Sequence, residues 1–184
     1  KAPVSWALKK SLRQANQIPD DFWNPQPDEP GLSKFTDLGN AEYFSRFYAG
    51  RLKHCSERDK WLIWDGKRGN MDGANQIMVM AGKCVRSMYD FLSGMDAPEL
   101  RKQLFKHATK SEDANKLAAM VKLAKGMLSI SVDELDQDPW LLNTPSGIID
   151  LQTGGIFPHD PARNMTKMIS ADYDPGARCP TFER

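Results

Sequence analysis

Residues 138–180 read DPWLLNTPSGIIDLQTGGIFPHDPARNMTKMISADYDPGARCP, and the way this stretch is punctuated decides the fold class. Trp140-Leu141-Leu142-Asn143 is an apolar run. It stops at Thr144-Pro145-Ser146-Gly147, where proline fixes one φ and glycine permits a positive one. Ile148-Ile149-Asp150-Leu151 follows in strand alternation, with Ile149 and Leu151 on one face and Ile148 and Asp150 on the other. Gln152-Thr153-Gly154-Gly155 then reverses the chain into Ile156-Phe157, a hairpin. Past Pro158-His159-Asp160-Pro161, Thr166-Lys167-Met168-Ile169 is a fourth candidate strand. By period alone, this is a small meander closing a core.

Upstream, the period changes from two to nearly four. Thr36 or Asp37 can cap a helix whose apolar positions are Leu38, Ala41, Phe44, Phe47 and Tyr48, with Gly50 placed to end it. Arg51–Cys55 and Lys60–Trp64 read as two strands across the polar turn Ser56-Glu57-Arg58-Asp59, and Asp65-Gly66 is a tight-turn dipeptide. Asn75–Leu92 repeats apolar residues at Ile77, Met80, Cys84, Met88 and Phe91, with Lys83 and Arg86 outward. A further helix spans Ala97–Thr109 with Pro98 in its first turn. The last starts at a Ser111 cap and carries Leu117, Met120, Val121, Ala124 and Leu128, with Gly126 placed to fray or stop it. The methionine-rich stripe reads as core. Together these elements predict an α+β fold in which a helical bundle portion packs with short antiparallel strands and hairpins in one compact domain.

With 184 residues the chain can bury a core without staples. It is 40% hydrophobic and 27% charged with a net charge of +1, so any nucleic-acid affinity must come from local clustering. Cys55, Cys84 and Cys179 lie far apart without a C-x-x-C pair, which points to a reducing compartment and away from a disulfide framework or zinc ribbon. No apolar run approaches the roughly 20 residues of a membrane helix, and no signal peptide opens the chain. Residues 1–17 read as a basic helix or arm around Trp6, Leu8 and Leu12. Residues 18–34 form a proline-rich acidic linker that contains Phe22 and Trp23.

The one local charge imbalance lies between residues 101 and 125, where seven lysines and arginines meet two acids. Arg101, Lys102, Lys106, Lys116, Lys122 and Lys125 are the candidate nucleic-acid contacts if several share a face. His107 adds a switchable charge. The competing reading is a solvated face balanced by the acidic run Asp133, Glu134, Asp136 and Asp138. Trp61 and Trp64 are either core or base-stacking groups.

Catalytic signatures are missing. Gly66-Lys67 and Gly82-Lys83 lack the partner glycine and the hydroxyl residue of a phosphate-binding loop. The acidic run precedes Pro139 in a loop, with no strand to hold paired metals. His54-Cys55 and His159-Asp160 are isolated pairs suited to core or turn roles. No catalytic, cofactor or metal residue is therefore assigned.

Several short signatures between residues 138 and 182, in order, resemble a known domain: LLN, a turn ending in glycine, IIDLQTGG, PHDP, TK and YDP-x-A-x-CP-x-F. The resemblance is to the linker domain of phage and plasmid primase–helicases. This is the poxvirus-type primase amino-terminal domain that precedes a superfamily 3 helicase motor. Pro145-Ser146-Gly147 departs from it, since the family more often has asparagine before that glycine. Asp37-Leu38-Gly39-Asn40-Ala41 is similar to the family's D-x-G-N-A motif, and Trp61-Leu62-Ile63-Trp64-Asp65-Gly66 to its W-x-x-W-D-G segment. The resemblance implies a linker domain over residues 35–176 and, from 177–184, the start of a connection to a motor not included in this fragment. It also implies a non-catalytic collar supporting ring assembly, with single-stranded DNA as a partner. ATP and magnesium would belong to the motor, and the setting would be the cytoplasm of a bacterial host. A pure oligomerisation module is the alternative. A small nuclease or primase using the acidic run rests on residue spacing alone.

Overall fold

The computed structural model describes residues 35–72, 75–92, 94, 96–174 and 176–177. The basic arm, the acidic linker, Cys179 and most of the 177–184 connection lie outside the described residues. Thr36 sits in extended geometry and its hydroxyl accepts from Gly39 N at 3.1 Å, so α1 begins at Asp37 and runs Asp37–Phe47. Gly50, at φ +74°, turns the chain into β1 (Leu52–Cys55). β2 (Lys60–Trp64) pairs antiparallel with β1, and β3 (Gly69–Met71) pairs antiparallel with β2. The sequence reading stops at the Asp65-Gly66 turn and misses β3, whose three polar or exposed residues carry no strand pattern.

Three helices follow. α2 spans Gln76–Ser87 and takes its first amides from outside: the Asp72 carboxylate accepts from Gln76 N (3.0 Å) and Ile77 N (3.1 Å). The expected continuation to Leu92 is instead a separate 3-10 turn at Asp90–Leu92. α3 covers Pro98–Ser111, with proline in its first turn as expected. α4 covers Ala114–Met127, and its cap is Asp113, not Ser111. Ser111 closes α3 instead, and its buried hydroxyl accepts from Asn40 Nδ2 at 2.9 Å. Gly126 stays helical, one residue short of the end.

β4 (Ser129–Ile130) leaves α4 directly and pairs parallel with β1, giving a sheet ordered β3-β2-β1-β4. β5 (Leu141–Thr144), β6 (Gly147–Asp150) and β7 (Ile156–Phe157) form a second, antiparallel sheet in that order. The fold is α+β, as the sequence predicts. Thr166–Ile169 is not a strand: Ile169 N donates to Asn143 O at 3.0 Å, but no ladder continues from it and side chains take up its other bonds. The Asp136 carboxylate accepts from Thr166 N and Oγ1, and Asn143 Nδ2 donates to Lys167 O.

The core lies between α1, α2 and α4, with Leu104 and Ala108 of α3 closing it. Met80, Met88 and Met120 are fully inside, so the methionine stripe is core. Leu38, expected on the apolar face of α1, is 50% exposed, and Tyr43 takes the inward place with its hydroxyl 2.9 Å from Ser87 Oγ. One face of the second sheet stays open. Cross-strand pairs Leu142–Ile149 and Ile149–Ile156, extended by the Leu151 N to Trp140 O bond of 2.8 Å, put five apolar side chains together there. Trp140 and Leu151 at its margin are about half exposed.

Candidate nucleic-acid interface

α3 turns Leu104, Ala108 and Ser111 inward, and helical periodicity then fixes what lies outside. Lys102, Lys106 and Lys110 recur every four residues along the outermost row, each exposed and advancing ~6 Å along the axis per step. A second row beside it carries Arg101, Phe105 and Thr109, all exposed. Glu99 lies in the first turn, where an acid complements the helix dipole. At the far end Arg86 of α2 reaches Glu112, with Nε 3.3 Å from Oε1.

Of the six predicted contacts, this face gathers Arg101, Lys102 and Lys106. It adds Lys110, which the sequence tally includes but does not single out. The three on α4 separate. Lys116 Nζ bonds both Asp37 oxygens at 3.0 and 2.8 Å, tying α4 to the first turn of α1. Lys125 Nζ pairs with Asp59 in the β1–β2 turn. Lys122 is exposed on the α4 surface. Helical spacing alone separates the α3 row from α4. The ion pairs, whose acids are 79 and 66 residues away, are not legible from spacing.

Trp61 and Trp64 are 6% and 7% exposed, so they are core and not stacking groups. Trp61 packs edge-on to Phe44 (6.5 Å, 86°) and to His54 (5.0 Å, 67°). The exposed aromatic on the basic face is Phe105, 55% accessible and 5.8 Å from the ring of Tyr89. The Tyr89 hydroxyl lies 3.3 Å from Thr109 Oγ1, which fixes that pair against α3. Plotting Pro98–Ser111 on a helical wheel would have placed Phe105 on this face.

His107 is not a free charge. It stacks on Phe35 at 5.1 Å and its Nε2 lies 2.7 Å from Asn40 Oδ1. Burial, with Lys110 and Lys116 nearby, outweighs Asp37 and lowers its pKa from the ordinary histidine value, so it stays neutral at pH 7. The acidic run is structural in the fold. Glu134 completes a capping box with Ser131, Asp136 holds Thr166, and Asp138 accepts from Trp140 N at 2.9 Å. Among the described residues no group of three or more His, Cys, Asp or Glu is placed to hold a metal. His159 takes a turn role, its Nε2 2.8 Å from Thr144 O. Among the described residues no helix is long and apolar enough to cross a membrane.

A family model described as D5 N terminal like matches residues 41–184. No curated protein matches the chain. The matched span contains the W-x-x-W-D-G segment, both sheets and the basic face of α3. The chain therefore belongs to the D5 N-terminal-like family, the amino-terminal domain of D5-like primase–helicase proteins of DNA replication.

Proposed function

We propose that this domain is a non-catalytic linker, or collar, between the modules of a replicative primase–helicase, and that it contacts single-stranded DNA. The observation that carries the DNA contact is the double row on α3, with Lys102, Lys106 and Lys110 beside Arg101. Three lysines at four-residue spacing along one exposed row, with Arg101 in the row beside it, suit phosphates, and binding of that kind weakens steeply with salt. Superfamily 3 motor chemistry, with its ATP and magnesium, belongs on this reading to the neighbouring module, in phage or plasmid replication in a bacterial cytoplasm. The test is an anisotropy titration with oligo-dT at 50 and 300 mM salt. Lys102→Glu/Lys106→Glu should weaken binding and flatten its salt dependence. Affinity insensitive to both salt and charge reversal would reject the DNA contact.

A second reading, an assembly module without nucleic-acid contact, is favoured by the open apolar face of β5–β7. Trp140, Leu142, Ile149, Leu151 and Ile156 form a continuous surface of the kind that marks a protein interface. It supports the ring-assembly part of the proposal as well. Light scattering on wild type and Leu151→Asp would separate the cases. Self-association abolished by the aspartate, with oligo-dT binding absent throughout, would favour the assembly module alone.

A further inference from the structure

We infer that Phe105, backed by Tyr89, is a base-stacking platform that makes the basic face of α3 select single strands over duplex. This rests on the phosphate-contact reading above and adds a specificity that charge alone does not give. Lysine and arginine rows hold phosphates whether the bases are paired or not. A flat aromatic ring offers something different, since it pairs with the face of a base, and base faces are open only in unpaired strands.

Four observations place the platform. Phe105 is exposed at the middle of α3, between the buried Leu104 and Ala108 and beyond Leu100, which is also exposed. One side of its ring meets Tyr89 at 5.8 Å and 57°, and the Tyr89 hydroxyl is held near Thr109, so the pair ties α3 to the turn that follows α2. Arg101 and Lys102 lie one turn before Phe105 and Thr109 one turn after it, on the same side of α3. Lys106 and Lys110 continue the cation row alongside. A strand laid along the lysine row thus brings its bases to the ring while its phosphates meet the ammonium groups. Stacking is tolerant of sequence because every base has a π face, so the platform prefers unpaired bases and not a particular sequence.

The test compares oligo-dT, a duplex of equal length, and an abasic oligonucleotide that keeps its phosphates, all against the full 184-residue chain at one salt concentration. Phe105→Ala should weaken oligo-dT binding about five- to a hundredfold while duplex affinity moves less than twofold. Phe105→Leu keeps the apolar bulk without the flat ring and should behave like alanine, whereas Phe105→Trp should bind at least as tightly as wild type. Wild type should also lose affinity for the abasic strand, and Phe105→Ala should show no further loss on it. If Lys102→Glu/Lys106→Glu weakens every ligand while Phe105→Ala changes none, phosphate contact stands and the platform is overturned. Equal loss on single strand and duplex would also overturn it, since the ring would then merely support the helix. If charge reversal has no effect at all, the underlying DNA-contact reading fails as well.

Discussion

Lys116 Nζ sits between the two carboxylate oxygens of Asp37, 2.8 and 3.0 Å away, and joins the start of α4 to the start of α1. The lysine is thereby committed to the fold, and its place in a basic stretch of sequence does not make it a DNA contact. Lys116→Gln should leave oligo-dT affinity within about twofold of wild type. Both partners are about a third exposed, so the stability cost should stay under about 1 kcal/mol. Urea unfolding and anisotropy on the same variant check both statements. A large affinity loss would mean that the ion pair opens for DNA.

Asp136 predicts a different separation of roles. Its backbone is left-handed at φ +51°, and its carboxylate accepts from Thr166 N at 2.7 Å, from Thr166 Oγ1 and from Lys167 N at 3.3 Å. Burial disfavours the charge on Asp136, but these bonds prevail and keep its pKa below the ordinary carboxylate value. Asp136→Ala strands those donors and should cost about 1–3 kcal/mol, seen as a lower urea midpoint. Magnesium should leave the melting temperature of wild type unchanged. A magnesium-dependent rise that the alanine variant loses would revive a metal role for the acidic run.

Gly147 sets the register of the second sheet. Its φ is +156°, and an added Cβ would lie 2.6 Å from Phe157 O and 3.0 Å from Ile156 Cγ1. Because the first of these is backbone, β7 must move to admit any side chain. Gly147→Ala should therefore cost about 2 kcal/mol or more. Hydrogen exchange should show the loss in β6 and β7 with the helices still protected.

Acid should destabilise the domain through the buried His54 and the half-buried His107. His54 is almost fully buried, with Nε2 3.2 Å from Asp59 Oδ1. Burial, with Lys125 close by, lowers its pKa despite Asp59, and His107 is lowered chiefly by burial too. A folded state that resists protonation binds fewer protons than the unfolded chain once pH falls through about 6.5, the unfolded histidine value. Stability should drop from there downward and level off below the folded pKa values. The urea midpoint at pH 5.5 should lie below that at pH 7.5, with a smaller difference in His54→Gln. A midpoint that rises on acidification would contradict the assignment.

Much of this fold is legible in local pattern. Thr36 capping α1, Pro98 opening α3 and the β5–β6–β7 meander all follow from turn chemistry and period, because neighbouring residues decide them. What escapes is decided at a distance. Ser111 looks like a cap, but Asn40, 71 residues away, claims its hydroxyl and Asp113 caps α4 instead. Thr166–Ile169 has the composition of a strand, yet Asp136 and Asn143 take up its hydrogen bonds. The candidate interface divides in the same way. The α3 row is written at four-residue spacing, whereas the ion pairs that remove Lys116 and Lys125 from it depend on Asp37 and Asp59.

The parallel pairing of His54 with Ser129 and of Cys55 with Ile130 closes, by backbone hydrogen bonds, a long stretch of chain that holds β2, β3, α2, α3 and α4. That clasp cannot shut until the three helices have brought β4 back alongside β1, so the entropy of a long closure is met only late in folding. Once shut, it ties the end of α4 directly to the sheet, with His54 N donating to Leu128 O at 2.7 Å.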